Sequence, residues 1–157
     1  MNKIILKIIT LCLIIFCVNG CDSEEENTLP ITGRLISHTD CKDNLPSNIK
    51  SVSNNNESII EYNYDPQSKI LQIKHINAGF NCCPEGLYCE ITTSGDTINI
   101  QEFENDSLCR CLCLYDLDIN IENIEAAKYY FKFHEPYCGD QNKLYFEMDI
   151  ENFSEGR

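Results

Sequence analysis

The segment Cys109-Arg110-Cys111-Leu112-Cys113-Leu114-Tyr115-Asp116-Leu117-Asp118-Ile119-Asn120-Ile121 decides the fold class of this 157-residue chain. Its odd positions carry three cysteines and then Tyr, Leu, Ile and Ile, whereas its even positions change from Leu to Asp, Asp and Asn. Successive side chains of an extended strand point to opposite faces. The segment therefore predicts a half-buried β-strand with one face of thiols and apolar groups. On the other face, Asp116 and Asp118 are expected to be solvated.

Similar alternation recurs along the chain, in short runs that are separated by turn signals such as Asp65-Pro66-Gln67-Ser68 and Ser94-Gly95-Asp96. No stretch has helical periodicity beyond one turn at 121–127. The pattern predicts an all-β domain over residues 30–157, built as a single antiparallel β-sandwich of immunoglobulin-like or transthyretin-like architecture and stapled by disulfides. Besides the cysteine segment, the predicted strands are 31–38, 58–64, 70–76, 87–93, 97–103, 127–133 and 144–150.

The first residues have the pattern of a secretory signal peptide, which we place at residues 1–20. Lys3 and Lys7 precede an apolar run over 8–18 that is too short to span a bilayer. The like-charged block Asp22-Ser23-Glu24-Glu25-Glu26 follows and is expected to stay solvated as a tether within residues 21–29.

Val18, Gly20 and Cys21 resemble a bacterial lipobox. That resemblance implies a diacylated Cys21 and a membrane partner bound through the lipid anchor, each buried CH₂ contributing ~0.8 kcal/mol. An ordinary signal peptide, with Cys21 in a disulfide, is the alternative. The acidic block resembles the surface-export signal of Bacteroidetes lipoproteins, which implies an outer-membrane location with the domain exposed at the cell surface. The alternative for that block is a solvated linker that carries no export signal.

The runs Cys-Leu-Cys-Leu-Tyr-Asp-Leu (111–117) and Ile-Glu-Asn-Ile-Glu-Ala-Ala-Lys-Tyr-Tyr-Phe (121–131) resemble uncharacterised cell-envelope lipoproteins of Bacteroidetes. The resemblance covers about a quarter of the chain and implies no activity. Asp96-Thr97-Ile98 and Asp106-Ser107-Leu108 resemble the O-glycosylation motif of the same bacteria, which makes Thr97 and Ser107 candidate acceptors.

The chain has 11 cysteines, of which Cys12 and Cys17 fall in the signal and Cys21 is the lipidation candidate. Cysteines two apart on one strand face lie about 6.6 Å apart at Cα with parallel Cβ vectors, which disfavours bonds among them. We therefore expect the cluster of the segment 109–113 to bond largely to the cluster of 82–89. Cys41 and Cys138 would bond each other or one cluster. The eight cysteines predicted to form disulfides are Cys41, Cys82, Cys83, Cys89, Cys109, Cys111, Cys113 and Cys138.

A thiolate metal site is the main alternative for these cysteines, with His75 or His134 as further ligands of zinc or copper(I). Zinc sites favour cysteine pairs two to four residues apart on tight turns, unlike C-x-C-x-C or a vicinal pair. Copper clusters with C-x-C usually form in flexible chains. We therefore predict no metal and no cofactor, and expect His38, His75 and His134 to be ordinary strand-end residues.

The net charge and the absence of catalytic motifs limit the classes of function that the sequence allows. Removal of the signal takes the net charge from −13 to −15, which argues against nucleic acid as a partner. The chain has no G-x-S-x-G, H-E-x-x-H or C-x-x-C motif. We expect a membrane-anchored, non-catalytic binding or structural module that recognises a protein or a glycan. A metal-binding envelope protein and a small secreted enzyme are the alternatives.

Overall fold

The computed structural model describes residues 29–42, 44–45, 57–107, 111–139 and 141–157, without the side chains of 44–45 and 106–107. In this part of the chain the regular elements are all strands. None of the described residues belongs to a helix that is long and apolar enough to cross a bilayer. The strands are β1 (Thr32–His38), β2 (Asn44–Leu45), β3 (Ile59–Asp65), β4 (Ile70–Asn81), β5 (Pro84–Ser94), β6 (Thr97–Ser107), β7 (Leu112–Glu122), β8 (Lys128–His134), β9 (Tyr145–Asp149) and β10 (Glu155–Gly156).

Two sheets make up the fold, in agreement with the predicted all-β, sandwich-like class. The first has the order β1-β7-β4-β3-β10, with β2 also beside β7, and the second has the order β5-β6-β8-β9. Strand β7, the cysteine-bearing segment, pairs antiparallel with both β1 and β4.

The expectation of purely antiparallel pairing is wrong at one place, because β6 and β8 are parallel. The chain leaves the second sheet after β6, runs through β7 in the first sheet, and returns as β8. A strand that re-enters its sheet after such a crossover runs in the direction of its neighbour.

The core lies between the sheets and follows the predicted alternation. From the first sheet it takes Leu71, Ile73, Tyr115, Leu117, Ile119 and Ile121, and from the second Ile98, Ile100, Phe131, Phe133 and Met148. The predicted inward face of β7 is confirmed, and β8 and β9 alternate in the same way.

Strand β4 extends five residues beyond its predicted end at Ile76, because a β-bulge lets it continue. The register with β7 shifts between His75 and Ala78, and Asn77 has a φ of 62°. A bulge of this kind inserts an extra residue and re-aims the strand. Beyond it, Gly79 meets the chain so closely that a Cβ there would overlap the carbonyl oxygen of Tyr137.

The two long sides of the sandwich differ. On one side β1 lies against β5, where a Cβ on Gly33 would stand 2.7 Å from Ile91 Cγ1. On the other side the sheets end at β10 and β9, and no described strand joins these edges. A groove lies between them.

Candidate functional site

The groove between β3, β9 and β10 has a volume of about 800 Å³. Its floor is apolar and includes Ile60 and Tyr62 from β3 and Phe146 and Met148 from β9. Phe153 stands at its margin with 61% of its surface exposed. An exposed aromatic group beside an apolar cleft is the usual composition of a ligand site.

The groove's margin is acidic. Glu57, Glu147, Asp149 and Glu155 line it, against a single basic side chain, Arg157. Asp149 pairs with Lys128 at 3.1 Å, and Arg157 lies 3.6 Å from Glu61 outside the groove. Hydrogen bonds from Asn152 are the main reason why the pKa of Asp149 lies below its ordinary value. The margin therefore presents negative charge.

One end of the groove leads to a buried polar chain of Ser58, His75 and Glu102. Ser58 Oγ lies 2.5 Å from His75 Nε2, and His75 Nδ1 lies 2.7 Å from Glu102 Oε1. His75 and Glu102 have 0% and 1% of their surface exposed. Burial opposes the charged imidazolium, but the Glu102 carboxylate outweighs burial and raises the pKa of His75.

Glu135 extends this chain to the connection between β8 and β9. Its carboxylate accepts hydrogen bonds from Ser58 Oγ at 3.5 Å and from the Gly79 N–H at 3.2 Å. Burial raises the pKa of Glu135, although His75 counteracts it. The Ser58 N–H donates to Gln141 Oε1 at 2.6 Å. The network thus ties the β8–β9 connection to β4 and to the start of β3.

Ser58, His75 and Glu102 have the order of a nucleophile, a base and an orienting carboxylate. Nucleophilic catalysis would need a neutral imidazole and backbone N–H groups open to an oxyanion. Here the raised pKa of His75 favours imidazolium, which cannot take a proton. The nearby N–H groups of Ser58 and Gly79 already donate to Gln141 and Glu135. The arrangement favours a buried ion pair between His75 and Glu102, in which Glu102 Oε1 is hydrogen-bonded and Glu102 Oε2 has no partner among the described residues.

Disulfides join Cys41 to Cys113 and Cys82 to Cys111, with Cα separations of 5.6 and 5.5 Å. The prediction that Cys111 and Cys113 bond outside their own strand is confirmed, and of the two options for Cys41 the bond to a cluster is found. Cys83 is also disulfide-bonded.

The prediction of a disulfide is wrong at Cys89 and Cys138, which are free thiols. Cys89 lies in the middle of β5, opposite Glu102 in the register of β6 and against the backbone of Leu35. Burial and the Glu102 charge raise the pKa of the Cys89 thiol to about 11. Cys138 lies in the β8–β9 connection.

Several predicted sites fall outside the described residues, namely the signal at 1–20, Cys21, the acidic tether up to residue 28, and Cys109. Thr97 opens β6 and is half-buried, and Ser107 ends the same strand. Within the described part of the chain, no group of three or more His, Cys, Asp or Glu side chains is arranged to hold a metal ion.

Two further expectations about single residues are corrected. His38 and His134 end β1 and β8 as predicted, but His75 lies inside β4 and is fully buried. Asp116 was expected to be solvated, yet its side chain is only 14% exposed and forms an ion pair with Lys42. Asp118 is 49% exposed, as predicted, and accepts a hydrogen bond from Ser37.

The buried network was missed, although the alternation carries a signal for part of it. His75 continues the inward stripe of Leu71 and Ile73, and Glu102 continues that of Ile98 and Ile100. A histidine and a carboxylate that continue two apolar stripes each need a buried partner. No comparable signal exists for the groove.

No protein-family model, curated protein or solved structure matches this chain.

Proposed function

We propose that this chain is a non-catalytic binding module of the bacterial cell envelope, held at the outer membrane by acyl chains on Cys21 and facing the cell exterior. It binds a ligand in the groove between β3, β9 and β10. The observation that carries this proposal is the groove itself, with its apolar floor and the exposed Phe153. We further propose that the sandwich is of immunoglobulin-like or transthyretin-like type, which its two sheets of mainly antiparallel strands support.

Two features support the envelope location. Disulfides such as Cys41–Cys113 form and persist in oxidising compartments outside the cytoplasm. The acidic stretch after Cys21 is suited to a solvated tether between an anchor and a folded domain. A lipid anchor with a tether of this kind presents a domain to partners without burying any of its surface.

Photo-crosslinking in cells tests the binding proposal. A photoreactive phenylalanine analogue replaces Phe153 in the full-length protein, and in a matched control it replaces Tyr88, which is 40% exposed on β5, outside the groove lining. We expect a discrete adduct from position 153 and none of the same mass from position 88. Equal patterns at both positions, or no adduct at 153, would overturn the assignment of the groove as the ligand site.

A further inference from the structure

Strand β9 is the outermost strand of the second sheet, and no described strand pairs with its outer edge. The backbone N–H and C=O groups of its even-numbered residues point toward β8. This follows because Phe133 N–H donates to the Leu144 carbonyl and Ile150 N–H donates to the Ala127 carbonyl. In an antiparallel pair the residues between those positions direct their N–H and C=O groups away from the partner. The backbone N–H and C=O groups of Tyr145 and Glu147 therefore point away from β8, toward the groove.

An exposed strand edge can accept an added strand. The side of the molecule at this edge is also suited to receive the side chains of that strand. Phe146 and Met148 supply apolar floor, and Phe153 supplies an exposed aromatic group. Alternate side chains of an added strand would point into the groove and toward solvent.

The acidic lining of the groove favours one class of ligand over others. Four acidic side chains line the groove against one basic side chain, Arg157; Lys128 pairs with Asp149, which leaves Glu57, Glu147 and Glu155. A second copy of this chain is a poor occupant because each copy carries a net charge of −15 once the signal is removed. Anionic polymers are disfavoured for the same reason. The negative potential of the groove speeds the encounter with a cationic segment and helps to fix the register in which that segment binds.

We propose that the groove takes an extended basic peptide segment of a partner protein, which pairs with the outer edge of β9 and alternates Lys or Arg with apolar residues. The apolar side chains contact the floor, and the cationic ones meet Glu147 and Glu155. This assignment rests on the proposed function, since it names the ligand class of the same groove.

The test uses the full-length protein purified in detergent and a short synthetic peptide that alternates Lys with Val and Phe. Binding is measured at physiological salt, which screens diffuse attraction between opposite charges. Two comparison peptides separate the contributions: one has Glu in place of Lys, and one keeps Lys but has N-methylated backbone amides. We expect the Lys peptide to bind and both comparison peptides to bind at least about tenfold more weakly.

Amide hydrogen exchange locates the peptide. The amides of Tyr145 and Glu147 are expected to exchange more slowly with the Lys peptide bound, while that of Met148, which faces β8, stays unchanged. Proline at an edge position removes an outward N–H without removing a ladder bond. We therefore expect Glu147→Pro to weaken binding about tenfold more than Glu147→Gln, which removes the charge alone. Thermal unfolding checks that both variants stay folded.

Binding without protection of Tyr145 and Glu147, or equal binding by the N-methylated peptide, would overturn strand addition. Binding of neutral oligosaccharides in place of the peptide would overturn the peptide ligand while leaving the groove as a binding site. The crosslinking experiment at Phe153 fails only if the groove binds nothing, so the two proposals fail separately.

Discussion

His75 couples the stability of the fold to pH, because it is buried between carboxylates. The groups that face it are Glu102 from β6, Glu135 after β8 and, at longer range, Asp116 from β7. Since the folded state raises the pKa of His75, that state binds the proton more tightly than the unfolded chain does. The stabilisation is complete below about pH 6.5 and is lost as the pH rises through the raised pKa.

We therefore expect the free energy of unfolding to fall between about pH 6 and about pH 8.5. The range stops there because the Cys89 thiol, with a pKa of about 11, adds its own loss of stability at higher pH. His75→Gln should lower stability at the acidic end by roughly 3 kcal/mol, since it leaves Glu102 without its partner. The double variant His75→Gln with Glu102→Gln, which removes both buried charges, should abolish most of the decline with pH.

Guanidinium unfolding at the two pH values measures this slope. The control is His134→Gln, at the exposed end of β8, which should keep the wild-type slope. If the double variant retained that slope as well, the His75–Glu102 pair would not be the source of the pH dependence.

At the scale of the element, β7 is fixed to its surroundings by covalent bonds as well as by hydrogen bonds. The Cys41–Cys113 bond closes a sequence separation of 72 residues, and Cys82–Cys111 closes one of 29. On the chain-entropy account each contributes about 4 kcal/mol. The reduced protein should accordingly melt at a clearly lower temperature.

Peptide mapping without reduction tests the cysteine assignment, with Cys83 expected to bond to Cys109. That expectation follows by elimination once Cys12, Cys17 and Cys21 are assigned to the signal and the anchor, because the other described cysteines are either paired with each other or free. Alkylation of the native protein should modify Cys138 and Cys89 only. Cys89 should react about a hundredfold more slowly at pH 8 than a thiol with the ordinary pKa, since only the thiolate reacts. A bond between Cys89 and Cys138 would contradict the assignment.

The elements also show how far alternation alone predicts the fold. It was sufficient for the inward faces of β7, β8 and β9, because a half-buried strand repeats every two residues wherever it lies. It could not predict the parallel pairing of β6 with β8, which depends on a crossover through the other sheet. Alternation also placed the end of β4 at Ile76, five residues too early, because the bulge at Asn77 interrupts the two-residue repeat.

For the whole molecule, the groove could not be predicted, because it arises from two sheet edges that come together only in the folded chain. Strand β10 has two residues and no pattern, yet it forms one wall of the groove. The acidic composition was visible in the sequence, but its effect on ligand choice depends on which carboxylates reach the margin. Composition therefore argued only against nucleic acid as a partner, and the proposed ligand site depends on the structure.

On our proposal, the domain is placed at a membrane through acyl chains on Cys21. We expect Cys21→Ala to release the protein from the membrane fraction. A single acyl chain gives only marginal binding, and several chains on one residue make it stable. Cell fractionation measures this, with Cys138→Ala as the control because Cys138 is a free thiol in the domain. The released variant should keep its melting temperature, because the substitution leaves the described core between the two sheets unchanged. Membrane association that persisted in Cys21→Ala would show that the domain itself, and not a lipid, holds the protein there.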